Sequence, residues 1–339
     1  MKNFSILFAL LFFYSIQLSA TVLQVNNLSP SPGEYTTLQS AVNAATAGDT
    51  LYMAGTGINY GGVSVDKQLT IIGPGFVVAG STISGVAQAG IISLTSVNAS
   101  GFKVIGIRFF QLISTDAAVS LFSNITVQRC LVDDCLFLSN DDWTGCLVEG
   151  NVFTSVGPNT TASMTTANII ASTIRNNVFN GTLYYTTTDI IEQNFFAGTN
   201  NGNTPIISGA TGNTFQNNIA VGRNCATVDA TSNCTGNMNY LCFNPNFPGT
   251  GNYLNTNPMF VSYTSGVFSW THDYHLAIGS PALGAGAGGL DIGLYGGDGI
   301  YRKDHEPDIP IVRFVSLPDG NVVPANSTFT INVVTSTHE

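Results

Sequence analysis

The sequence predicts an all-β solenoid, a coil of short strands piled one upon the next, and three observations carry that prediction. A six-residue phrase recurs as V-I-G-I-R-F from Val104, V-Q-R-C-L-V from Val127, V-E-G-N-V-F from Val148, I-R-N-N-V-F from Ile174, I-E-Q-N-F-F from Ile191 and F-Q-N-N-I-A from Phe215, with starts 23, 21, 26, 17 and 24 residues apart. A period near 22 residues marks a unit that buries its apolar side only by stacking on its neighbours. Within each copy the first position is apolar and the second mostly polar, which is the in-out alternation of a strand and not the three- and four-residue spacing of a helical repeat. Finally, 44% of the chain is hydrophobic and only 9% charged. That balance excludes disorder, and the scarcity of Glu and Lys disfavours helix.

The fourth position of the phrase is Asn151, Asn177, Asn194 and Asn218 in four successive copies. A short amide at one place on every coil suits a tight bend, tolerates left-handed backbone and can bond the amide above it. The phenylalanines at the sixth position, Phe109, Phe153, Phe179 and Phe196, are expected to stack inside. Insertions between copies go into loops, so the uneven spacing is compatible with a regular coil.

This pattern resembles the right-handed, single-stranded parallel β-helix of the pectin-lyase-like superfamily over roughly residues 36 to 298. The resemblance implies a secreted bacterial protein of a Bacteroidetes-like kind. The superfamily spans lyases, hydrolases, tailspikes and non-enzymatic surface proteins, so fold follows from it more directly than activity.

In chain order, residues 1–20 read as a secretory signal peptide: Lys2 starts it, Ile6 to Phe13 is apolar, and Leu18-Ser19-Ala20 ends it. No second apolar run long enough to span a membrane follows, so the mature chain is expected to be secreted or held at the cell surface. Residues 21–48 form an N-terminal cap. Val22, Leu23 and Val25 suggest a strand; Thr36 and Gln39 suit a capping box; Leu38, Ala41, Val42 and Ala45 share a helical face, and Gly48 is the stop. Such a helix would shield the open end of the coil. Residues 49–298 are assigned to the parallel β-helix, with Ile91, Ile92 and Leu94 in an early strand and a looser stretch from Ala220 to Thr256. N-P-M-F-V from Asn257, D-Y-H-L-A-I-G-S-P from Asp273 and D-I-G-L-Y-G-G from Asp291 resemble the closing segment of secreted bacterial β-helix proteins. Residues 299–339, with apolar runs at Ile311–Leu317 and Thr328–Val334, are too few for a core of their own and read as a small β tail.

Candidate chemistry concentrates in the carboxylates Asp133, Asp134, Asp141, Asp142 and Glu149. Paired carboxylates can act as acid and base on a glycosidic bond, or take calcium, the one cofactor this chain suggests. N-D-D at Asn140 to Asp142 resembles one piece of the polygalacturonase pattern, whose histidine and Arg-x-Lys pieces are missing, and a solvated loop is the plainer expectation. Glu149, Arg175 and Glu192 share one position on consecutive coils and read as a structural charge ladder. Lys103, Arg108 and Arg129 could line a face for an acidic polysaccharide. His272 and His275 around Asp273 read as packing, and Asp304-His305-Glu306 as a surface turn. Cys225 and Cys234, close together in one loop, are the expected disulfide pair, while Cys130 replaces Asn in the column as a buried thiol. Lys and Arg number 10 against 20 Asp and Glu, a net charge of −10 that excludes nucleic acid as a partner.

Two functions follow as expectations. The first is a non-catalytic secreted or surface protein, adhesive, structural or binding an extracellular polysaccharide or cell-surface glycan. The alternative is a polysaccharide lyase or glycoside hydrolase of the pectin-lyase-like class acting on an acidic polysaccharide. An ice-binding face, suggested by Thr160–Thr166 and Thr186–Thr188, lacks the repeat order it would need.

Overall fold

A computed structural model describes residues 20–31, 33–76, 85–115, 121–138, 141–154, 162–164, 168–198, 205–225, 228–244, 247–264, 268–299, 301–303, 305–307, 311–316 and 332–336. Residues 1–19, where a signal peptide is expected, and most of Thr160–Thr166 lie outside them.

Each coil contributes a strand of three or four residues to a ten-stranded parallel sheet that begins with Val22–Val25 and Thr50–Met53 and ends with Thr214–Gln216 and Asn233–Thr235. The repeated phrase sets its register: Val104 pairs with Val127, Val127 with Val148, Val148 with Ile174, Ile174 with Ile191 and Ile191 with Phe215. All of these point inward and are fully buried. A second, twelve-stranded parallel sheet holds the later half of each phrase, and a third holds Leu121–Ser123, Asp142–Thr144, Ile169–Ile170 and Thr186–Thr187. The chain is thus an all-β parallel solenoid. Its interior is a file of stacked rings: Phe153 on Phe179 at 4.8 Å and Phe179 on Phe196 at 5.1 Å, nearly parallel in both cases.

Between the first two sheets the coil turns through a left-handed residue. The sequence places this bend at the asparagine, but the structure puts it one residue earlier, at Arg129 (φ 52°), Gly150 (68°), Asn176 (53°), Gln193 (56°) and Asn217 (55°). The asparagine that follows caps the turn. Asn177 Oδ1 accepts from the Asn151 backbone N–H at 2.9 Å and from its Nδ2 at 3.0 Å; Asn194 does the same for Asn177, and Asn218 for Asn194. The second amide hydrogen of each goes to a carbonyl of the preceding coil, as Asn194 Nδ2 donates to Ile174 O at 2.8 Å. Asn237 and Asn252 extend the file by two rungs through the stretch that reads as irregular, which instead carries the strands Asn233–Thr235 and Met238–Tyr240. Cys130 ends it below, its backbone N–H donating to Asn151 Oδ1. Burial pushes the Cys130 thiol up to about 12, so it stays a neutral thiol.

The capping helix spans Leu38–Ala44 and buries Leu38, Ala41 and Val42. Its N-cap is Thr37 rather than Thr36: the Thr37 hydroxyl accepts from the Ser40 N–H at 3.2 Å. Gln39 is left to clasp the strand Val63–Val65, accepting from Ser64 N at 2.8 Å and donating to Ser64 O at 3.2 Å.

In the last four copies the fifth position of the phrase points outward yet is apolar, as Val152, Val178, Phe195 and Ile219, continued by Met238. This column forms a second core outside the coil, covered by Tyr274, Ala282, Ile292, Leu294 and Tyr301. The cover begins as the antiparallel hairpin Phe260–Ser262 with Asp273–Leu276. From Ala287 to Pro307 the chain then runs back along the solenoid, over the left-handed column. Asn217 Oδ1 accepts from Ala287 N at 2.6 Å, Asn176 Nδ2 donates to Leu294 O and Gly296 O at 2.9 Å, and Arg129 Nη1 donates to Glu306 O at 3.0 Å. The segment lies so close that a Cβ on Gly299 would stand 2.7 Å from Asn176 Oδ1, 2.8 Å from Arg175 Nε and 2.9 Å from Glu149 Oε2. Beyond it, Ile311–Ser316 and Asn332–Ser336 form an antiparallel pair.

Candidate functional site

The carboxylates singled out by sequence stand on different faces of the coil. Asp133 and Asp134 are in the second sheet, Asp142 in the third and Glu149 in the first. Each is engaged locally. Arg108 Nε meets Asp133 Oδ2 at 2.8 Å, Gln111 Nε2 donates to Asp134 Oδ2 at 2.5 Å, and Asn168 Nδ2 donates to Asp142 Oδ1 at 2.8 Å. Asp141 is buried. Glu149 takes Arg175 Nε at 2.6 Å and Gln128 Nε2 at 2.9 Å, and Glu192 takes Gln216 Nε2 at 2.8 Å. In-register stacking of the coils brings the Glu149 and Glu192 pairs together, because residues at one phrase position lie about 4.8 Å apart on adjacent strands.

Among the basic residues, Lys103 is exposed on the first sheet, but Arg129 is buried under Glu306 and does not share a face with it. Arg223 is also buried, with its guanidinium spread over the carbonyls of Asn180, Gly181, Ala197 and Pro205. His272 and His275 have separate partners: His272 lies against Thr264 Oγ1 and Tyr274 OH, whereas His275 meets Asp273 at 2.6 Å and stacks on Tyr295 at 3.7 Å. His305 and Glu306 are not a surface turn. Both are buried, His305 against Phe76 at 4.2 Å, and burial drives its imidazole down to about 3, with Arg129 adding to the effect. Cys234 points into the coil on the strand paired with Phe215, so it is not the neighbour of Cys225; that place belongs to Cys242, whose sulfur is 2.9 Å away.

A site that the sequence did not disclose lies where the covering hairpin meets the last coil. A groove of about 310 Å³ is lined by Tyr240, Asn257, Met259, Phe260, Tyr263 and Thr264. Tyr240 ends the second sheet, and Phe260 begins the hairpin, packed edge-on against Tyr263 and Phe195 at 5.5 Å in each case. The rings are thereby fixed, and an amide and a hydroxyl stand beside them. The only local signal was M-F-V-S-Y at Met259–Tyr263, rich in aromatic residues for a segment with no counterpart in the repeat. Among the described residues no three His, Cys, Asp or Glu side chains converge as metal ligands, and no helix is long and apolar enough to cross a membrane.

These features define a parallel β-solenoid with an apolar flank and a covering segment. A scan against protein-family models matches no family, and a search of curated proteins finds no match.

Proposed function

We propose that this chain is a secreted or cell-surface β-helix protein of the pectin-lyase-like kind that binds a neutral glycan without cleaving it. The groove at the last coil carries the proposal. The fixed rings of Phe260 and Tyr263, with Tyr240 beside them, offer flat faces for the C–H side of a sugar, and Asn257 and Thr264 offer a donor and acceptors for its hydroxyls. A net charge of −10 disfavours capture of polyanions and leaves uncharged sugars as the better fit. The dispersal of Asp133, Asp134, Asp142 and Glu149 over three faces supports binding over acid–base cleavage, which needs two carboxyls flanking one bond.

Titration of the purified protein against a panel of neutral and uronate-containing polysaccharides tests this. Binding to a neutral member is expected, weakened roughly tenfold or more by Tyr263→Ala, the loss of one ring contact. Asp133→Asn and Asp142→Asn should leave it unchanged. Release of unsaturated or reducing ends from any member would establish the lyase or hydrolase alternative instead.

A further inference from the structure

Cys225 and Cys242 occupy adjacent coils. The backbone holds them together: Asn224 bridges Asn244 in parallel, Cys225 N donates to Asn244 O at 3.1 Å, and Phe243 N donates to Arg223 O at 3.0 Å. The direct partner of Asn224 is Asn244, so Cys225 and Cys242 are offset along the paired coils and meet through their side chains. The two sulfurs are 2.9 Å apart, so the side chains already face each other. Cys225 is fully buried, whereas Cys242 is partly open and can meet an oxidant.

We propose that Cys225 and Cys242 are the two halves of a redox-responsive disulfide that staples the final coils of the solenoid, beside the groove that starts at Tyr240. The Cys242 thiolate attacks one sulfur of a small disulfide oxidant such as oxidised glutathione and expels one thiolate. Cys225 then gives up its proton and attacks the Cys242 sulfur, expelling the second. Two electrons pass from the cysteines to the oxidant, and their two protons end on the released thiols. The Cys225 S–H donating to Cys242 holds the Cys242 thiol below its usual range and makes it the attacking sulfur, whereas burial raises the Cys225 thiol well above its own, an effect that the nearby Arg223 guanidinium only partly offsets. This inference rests on the facing sulfurs and stands whether or not the groove binds a glycan.

The test is a disulfide map of the full chain after equilibration with oxidised glutathione, denaturation and alkylation. Cleavage before Asp229 and after Tyr240 separates Cys225, Cys234 and Cys242 onto different peptides. The expected result is a Cys225 peptide joined to a Cys242 peptide, with Cys234 alkylated. Reduction should lower the unfolding midpoint by about 5 °C, as expected for opening a loop of this length. In Cys242→Ser, Cys225 should become alkylated and the reductant effect vanish. Alkylation of Cys225 in the oxidised wild-type chain, or its recovery joined to Cys234, would overturn the proposal even if the variant fails to fold.

Discussion

Asn194 is hydrogen-bonded to capacity inside the coil. Its Oδ1 accepts twice from Asn177, its backbone N–H and one amide hydrogen donate to Asn218 Oδ1, and the other amide hydrogen reaches Ile174 O. Asn194→Ala would strand two buried donors of Asn177, each costing about 1–3 kcal/mol, so a loss of roughly 3 kcal/mol or more is expected from urea denaturation. The same change at the partly exposed Asn252 should cost well under half as much, because water can replace the lost partner. Asp189 belongs to a parallel file at another corner, accepting from Ser172 N at 2.6 Å and Thr187 N at 3.1 Å while its own N–H donates to Asn213 Oδ1. Burial lifts its carboxyl to about 7, against the pull of those two N–H groups. A raised carboxyl binds its proton more tightly in the folded state than in the unfolded one. Its contribution is therefore fully present below about pH 4 and is lost as pH rises from there to about 7, on the order of a few kcal/mol. Denaturation midpoints measured across that window should fall for the native chain and flatten in Asp189→Asn. Asp49 has the opposite sign. Burial would raise it, but hydrogen bonds from Thr21 N, Thr46 N and the Thr46 hydroxyl outweigh that and hold it at about 2, so its contribution disappears only as pH drops through that value.

At the scale of elements, the covering segment decides how the solenoid treats its apolar flank. A strand apolar on both faces must be covered on both, and Val152, Val178, Phe195, Ile219 and Met238 meet that condition because Tyr274, Ala282, Ile292, Leu294 and Tyr301 pack over them. The fit depends on glycines that let backbone lie against the left-handed column. Gly299→Ala would drive a methyl into Asn176, Arg175 and Glu149. Limited proteolysis should then cut between Ala287 and Pro307 at least several times faster, while the far-ultraviolet circular dichroism of the coils stays intact. The alternation of the phrase announces its strands but not the covered flank on which its fifth position lies. The identity of the cover is not announced, because Asn176 and Arg129 meet partners 118 to 177 residues away.

Over the whole molecule, order is unevenly distributed. The amide file runs from Asn151 to Asn252, whereas the earlier coils rely on apolar stacking and the helix Leu38–Ala44. In a stack whose stability is a sum of neighbour terms, the laddered coils should open last. Hydrogen exchange should find the amides of Asn177, Asn194 and Asn218 among the slowest and those of Thr70 and Lys103 faster; equal rates would show that the file adds nothing to stability. Periodicity by itself determined the solenoid, its inward columns and the shared level of its asparagines, because stacking repeats one local environment at every turn. Tertiary structure alone decided that the bend sits one residue before the amide, that Cys225 faces Cys242, that His305 is buried, and that the carboxylates part onto three faces. Each of these depends on where distant coils and the returning segment place a side chain, and a local pattern of apolar and polar residues does not encode that position.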